Sequence, residues 1–312
     1  MAASLAAVVA SRARASSASG AALALLAPQQ GVSWSASELD DRAARLAAGL
    51  RELGYGPGSV CVSALPNVAE SLLLQLALAR LGATVATAPK DPFGMASLRN
   101  RGEVVGGAGD VKWPEEVAPP PAPAISLAGE GPEGSVPWEE VAGAHPPLAG
   151  DVAASEGSLL GVFGAAAVRH GDALRWAREA AEVLGTREDD RVCCSVTLMH
   201  AFGVGSAVGS ALVGGGAAVL PAVGGIRGCG DPKQRADVTA QVLAETRATQ
   251  LFGDTHTLKA LPAVAEGSLA LRGGVIKVGS GASFLPGVTE TPDGLPLRWA
   301  GVDFHAMGKA AA

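Results

Sequence analysis

Residues 158–183 read SLLGVFGAAAVRHGDALRWAREAAEV, and the fold class turns on them. The apolar run Leu159 to Phe163 has the length of a buried strand, Gly164 to Ala167 supply only small residues, and His170, Leu174, Ala177, Ala181 and Leu184 lie on one helical face. The pattern predicts strand, turn, helix. In α/β proteins such a junction commonly holds phosphate, through the backbone N–H groups of a Gly/Ser/Thr-rich loop and a Lys ammonium. This turn has no Ser, Thr or Lys.

The same rhythm extends on both sides. Downstream, strands are predicted at Arg191 to Thr197, Ala217 to Pro221, Thr249 to Phe252 and Gly274 to Gly279, with helices at Gly203 to Val213, Pro232 to Thr246 and from Thr255. Strands this apolar need cover on both faces, as in a doubly wound sheet. Upstream, Ser35 with Glu38 forms a capping box for a helix carrying Leu39, Ala43, Leu46, Ala47, Leu50 and Leu53, which Gly54 ends. Ser59 to Leu65 reads as a strand, Asn67 as the N-cap of a helix over Glu70 to Leu81 that Gly82 stops, and Thr84 to Ala88 as a strand. A parallel βαβ unit follows. From Pro89 the periodicity fades, and Trp113 to Pro147 contains Pro119, Pro120, Pro121, Pro123, Pro146 and Pro147, a poor substrate for helix or strand. The expected organisation is a first βα lobe over 1–112, a proline-rich connecting arm over 113–150, which could also dock a partner, and a second βα lobe over 151–312.

With 48% hydrophobic and 17% charged residues in 312, the chain has ample material for a core. A net charge of −6 argues against a nucleic-acid partner, which would want a basic face. Cys61, Cys193, Cys194 and Cys229 show neither zinc-ligand nor disulfide spacing and read as reduced core thiols, and His256 and His305 lack neighbours at ligand spacing, so no metal is expected. No apolar run is long enough to span a bilayer. Met1 to Ser37 has no Asp or Glu but carries Arg12 and Arg14 among Ala and Ser, the composition of an organellar transit segment; the alternative is a short solvent-facing helix at the edge of the fold. Gly205-Ser206-Ala207-Val208-Gly209 has the wrong spacing for a nucleophile elbow, and Glu188-Asp189-Asp190 reads as a solvated turn.

The order of short motifs resembles the N-terminal domain of the adenylate-forming superfamily, which includes acyl-CoA synthetases. Ser33-Trp34-Ser35-Ala36-Ser37-Glu38-Leu39 is similar to that family's TWTYAEL, and Leu50 to Gly58, Ala64-Leu65-Pro66-Asn67 and Leu81-Gly82-Ala83 follow in family order. Leu198-Met199-His200-Ala201-Phe202-Gly203 resembles LFHxFG, Leu251-Phe252-Gly253 resembles LFGVPTL, and Gly279 to Pro286 resembles SGGAPLP. The resemblance implies an α/β fold of two Rossmann-like lobes with mostly parallel sheets.

The departures bear on function. Where the family reads roughly YTSGTTGxPKGVxxTH, too few residues stand between Leu160 and His170 to hold the phosphate loop, and His305-Ala306-Met307-Gly308 occupies the place of YGxTE without its Thr or Glu. The chain stops at Ala312, leaving no residues for the small C-terminal domain that carries the family's catalytic Lys. Carboxylate attack on ATP needs cationic groups and oriented donors around the phosphates. The resemblance with these departures implies a non-catalytic derivative with no catalytic residues and no cofactor. It would serve as an accessory subunit among other proteins of a larger complex, mitochondrial and of respiratory-chain type, or else cytoplasmic. The alternatives are a binding module for a nucleotide, CoA or acyl group, with a remnant pocket at His200, Gly279, Ser280, Gly281 and Ala282, and a split enzyme completed by a partner. A packed histidine at a strand end competes for His200, and an ordinary turn for Gly279 to Ala282.

Overall fold

The computed structural model describes residues 2–16, 22–63, 65, 67–87, 97–99, 125–127, 134–143, 145–150, 152–163, 166–221, 230–285 and 287–308. In chain order the elements are α1 (Leu5–Ser16), β1 (Leu23–Ala27), β2 (Val32–Ser35), α2 (Ala36–Glu52), β3 (Val60–Ser63), α3 (Ala69–Leu81), β4 (Thr84–Thr87), β5 (Ser97–Arg99), β6 (Ile125–Ser126), β7 (Val136–Pro137) and α4 (Trp138–Gly143). There follow β8 (Leu159–Phe163), β9 (Ala166–Arg169), α5 (His170–Leu184), β10 (Arg191–Cys194), a π-helix (Phe202–Val208) running into α6 (Gly209–Gly214), β11 (Ala217–Val219), α7 (Pro232–Thr246), β12 (Gln250–Asp254) and α8 (Thr255–Ala260). The chain closes with β13 (Gly273–Val278), β14 (Ser283–Leu285), β15 (Arg298–Trp299), β16 (Val302–Asp303) and β17 (His305–Gly308).

Local chemistry explains where these begin and end. Ser35 Oγ accepts from Glu38 N at 3.2 Å while the Glu38 carboxylate accepts from Ser35 N at 2.8 Å, so the capping box starts α2 as the sequence predicts. Gly82, at φ +67°, ends α3 in the left-handed conformation that glycine adopts without a Cβ clash. Asn67, however, does not cap α3. Gln30 does so instead: its Oε1 accepts from Ala69 N at 2.8 Å, and its Nε2 donates to Glu70 at 2.7 Å. A side chain distant in sequence has taken the capping role and freed Asn67 for a tertiary contact.

The strands form two main sheets. One has eight strands in the order β14-β17-β13-β12-β10-β11-β1-β2, parallel from β17 to β1; the other has five, in the order β5-β3-β4-β8-β9, with β3, β4 and β8 parallel. Sheet membership crosses the expected division of the sequence. The early strands β1 and β2 complete the eight-stranded sheet, while β8 and β9, beyond residue 150, complete the five-stranded one. Boundaries at 112 and 150 therefore separate segments of chain and not sheets.

Four further expectations are corrected. The N-terminal helix is neither solvent-facing nor loose: Leu5, Ala6, Val9 and Ala10 of α1 are buried, and Arg12 donates to the carbonyls of Leu23 at 3.0 Å, Gly216 at 2.9 Å and Gly215, covering the C-terminal end of α6. Part of the arm is structured, since β6 pairs with β7 and α4 packs Trp138 and Val141 into the core against α2; Pro119 to Pro123 lie outside the described residues. Asp190 is not in a solvated turn but is 2% exposed, accepting from Arg187 N at 2.9 Å, Thr249 Oγ1 at 2.7 Å and Arg272 Nε at 3.1 Å. Burial opposes its charge, yet the bonds from Arg272, Thr249 and Arg187 together hold its carboxyl below the usual range. Finally, Ala166 and Ala167 belong to a strand and not to a turn. Cys61, Cys193 and Cys194 are free and buried, and Cys229 lies outside the described residues.

The sheets are joined through helices packed on small residues. A Cβ built on Gly209 would meet Ala177 Cβ at 2.7 Å, so the α5–α6 contact requires glycine on one side and alanine on the other.

Candidate functional site

The carboxyl ends of parallel strands are where open α/β sheets bind ligands, because the loops there leave a crevice. At that edge of the eight-stranded sheet lie the segment after β10, the end of β12 and the turn after β13. The first of these, Ser195 to His200, is braced from the other sheet. Asn67 Nδ2 donates to Cys194 O and its Oδ1 accepts from Leu198 N, both at 3.3 Å; Gln75 Nε2 donates to Leu198 O at 3.3 Å; and Thr87 Oγ1 donates to Met199 O at 3.0 Å. Three side chains of the β3-α3-β4 unit thus fix the backbone leading into His200.

His200 itself is exposed, beyond the end of β10. Its pKa is lowered, first by loss of solvent around the ring and then by the positive charges of Lys277 and Arg235, against the pull of Asp254. Lys277 Nζ stands 5.9 Å from the centroid of Phe202, whose ring packs 5.9 Å from that of Phe252. Asp254 is committed to structure: both its oxygens accept from Arg235 Nη2, at 3.0 and 2.9 Å, and it caps α8 by accepting from Thr257 N at 2.7 Å. Sequence motifs marked His200 but missed Lys277, Asp254 and Arg235; the available signal was a charged residue at the carboxyl end of an apolar strand.

Gly279, Ser280 and Gly281 are exposed, Ala282 is buried, and Gly279 (φ +68°) and Gly281 (φ +100°) turn the chain so that β14 folds back along β17, pairing Ser283 with Gly308. The structure thus puts His200 and the Gly279–Ala282 turn on one sheet edge, with Lys277 between β13's core and its end. A cleft of about 940 Å3 lies elsewhere, between α1, α2 and residues 147–154, lined by Ala7, Arg14, Asp40 and Arg80 among others and by none of the predicted site residues. Among the described residues no group of three or more His, Cys, Asp or Glu is placed to hold a metal ion, and no helix is long and apolar enough to cross a membrane.

The five-stranded sheet presents a different edge. β8 turns directly into β9 as an antiparallel hairpin, with Phe163 paired to Ala166 and only Gly164 and Ala165 between them in sequence. Ala166, Ala167 and Arg169 are exposed and Val168 is buried. The helix that follows does not offer its first donors to a ligand: His170 N donates to Ser158 O at 3.1 Å and Gly171 N to Glu156 O at 2.9 Å. A helix N-terminus holds anions through such free N–H groups, and here the chain itself occupies two of them.

Residues 12–91 match the family of AMP-binding enzymes. Over 74 residues the chain is 42% identical to 4-coumarate–CoA ligase 3 of Oryza sativa subsp. japonica, a stretch that is 24% of this chain and 13% of the ligase. Among solved structures, a benzoate CoA ligase from Burkholderia xenovorans superposes with a TM-score of 0.65 at 19% identity, covering 88% of this chain and 56% of that one. MbtA of Mycobacterium smegmatis, in its apo form, superposes with a TM-score of 0.65 at 18% identity, covering 91% of this chain and 53% of its own. The chain therefore spans little more than half the length of these two proteins. Its fold is that of the N-terminal domain of acyl-CoA ligases.

Proposed function

We propose that this chain is a non-catalytic, acyl-CoA synthetase-like protein that serves as an accessory subunit of a larger complex. The observation that carries the reading is the β8–β9 hairpin. Where the resemblance calls for a loop of glycines, hydroxyls and a Lys around ATP phosphates, two residues link the strands, and the first N–H groups of the next helix are spent on Ser158 and Glu156. Little remains there to stabilise charge moving onto pyrophosphate. The location proposed is mitochondrial, in a respiratory-chain assembly, with the cytoplasm as the alternative. Because α1 is part of the core, an imported protein would keep that helix.

The test has two arms. Purified protein is expected to give no carboxylate-dependent ATP–pyrophosphate exchange; exchange that scales with enzyme would overturn the non-catalytic reading. Native gels of gently isolated, C-terminally tagged protein from organelle and cytosol fractions are expected to show stoichiometric partners in the organelle. Migration as a free monomer would sink the subunit.

A second reading, a binding module for a nucleotide, CoA or acyl group, is favoured by the exposure of His200, Gly279, Ser280 and Gly281 on one sheet edge. A thermal shift with AMP or CoA that is lost in Lys277→Ala supports it; no shift at saturating concentration counts against it.

A further inference from the structure

Gln75 and His170 bring the same problem to one place. Gln75, 4% exposed on α3, donates through Nε2 to Leu198 O, while its Oε1 is buried with no hydrogen-bond partner; His170, 2% exposed at the start of α5, has a buried Nδ1 in the same condition. Both line one cavity, whose wall is otherwise Leu5, Ala6, Leu72, Leu76, Ala79, Leu160 and Val204. Buried polar atoms almost always find a partner, in the protein or in ordered water. About 10 Å3 of this cavity is open to the centre of a water molecule, which is roughly the room that one water needs.

We propose that a single buried water occupies this cavity and is hydrogen-bonded to both Gln75 Oε1 and His170 Nδ1. Water suits the pair: it donates one hydrogen to the amide oxygen and either accepts from Nδ1–H or donates its second hydrogen to the Nδ1 lone pair, so either ring tautomer is served. An ion is disfavoured, because the wall has no Asp, Glu, Lys or Arg. The water would join α3 to the first turn of α5, just behind the β8–β9 hairpin, with Leu5 and Ala6 of α1 closing the cavity. It would thus sit where α1, α3, α5, the π-helix and strand β8 of the five-stranded sheet meet.

A crystal structure of the full chain at about 1.8 Å or better is the direct test. Density for one water within about 3 Å of both atoms is expected; a dry cavity, or a direct bond between Gln75 and His170, overturns the proposal. Thermal melts of Gln75→Met, His170→Phe and the double variant give a second measurement. Each single change, by stranding the other polar atom with the water, is expected to lower the melting temperature by roughly 2–6 °C, and the double by less than the sum. Strict additivity would mean that no shared partner links them.

Discussion

The two sheet edges of this molecule present opposite chemistry within one fold. The eight-stranded edge keeps charge: Lys277, Arg235 and Asp254 act on His200 at the strand ends, and two glycines turn Ser280 into solvent. The five-stranded edge ends in a hairpin faced with Ala166 and Ala167, and two N–H groups at the start of its helix are bonded to the carbonyls of Ser158 and Glu156. The difference teaches that one fold can present a charged, open edge and an apolar, self-bonded one at the same time.

The largest effect is expected from Arg235→Ala, which tests whether the charged edge is scaffold. Arg235 is 7% exposed, grips Asp254 with two bonds and donates from Nε to Thr257 Oγ1 at 2.9 Å. Removing it leaves a mostly buried carboxylate unpaired, at a cost of about 3 kcal/mol or more in urea unfolding. A loss below about 1 kcal/mol would show that the edge is solvated and available for ligand.

Next is pH, which probes the apolar junction behind the hairpin. Burial pushes the His170 pKa down to about 4, below its ordinary 6.5, so the unfolded chain binds the proton more readily. The contribution is fully present above pH 6.5 and is lost as pH falls through 4, amounting to about 3 kcal/mol. The stability of wild type minus that of His170→Phe should fall by that amount from pH 7 to pH 4. A flat difference would place the imidazole in contact with bulk water.

A smaller effect tests where the halves meet. Gly209→Ala should push α6 off Ala177 and cost about 1–2 kcal/mol after its gain in helix propensity, and Ala177→Gly in the same chain should restore part of it. Smallest is Ser35→Ala, which removes the capping box of α2 for about 1 kcal/mol by chemical denaturation. Its effect should be the same whether or not the charged edge has been altered, since the two sites share no partner.

Much of the fold was legible because periodicity is local. α7 spans the predicted Pro232–Thr246, where Asp231 accepts from Gln234 N at 2.8 Å and Pro232 opens the helix. Of the parallel strands, β3, β4, β8, β10 and β11 lie within predicted apolar runs and β12 and β13 overlap theirs, while β1 and β17 fall where no strand was predicted. The site was legible only in part. The motif LMHAFG picked out His200, but its exposure depends on Asn67, Gln75 and Thr87, which reach it from more than a hundred positions away. β9 was missed because Ala166-Ala167 has no strand propensity of its own and becomes a strand by pairing with β8. Asp190 was missed because its partner Arg272 is remote in sequence.

By itself the sequence determined the α/β class, the helix starts at Ser35 and Pro232, the stop at Gly82, and the shortness of the link between Phe163 and His170. These are matters of propensity, capping and chain length, which act over a few residues. Tertiary structure alone decided that β1 and β2 join the late strands, that Gln30 and not Asn67 caps α3, and that α1 lies in the core. Each of these depends on which distant group satisfies a buried N–H or covers an apolar face, and a linear pattern holds no record of that pairing.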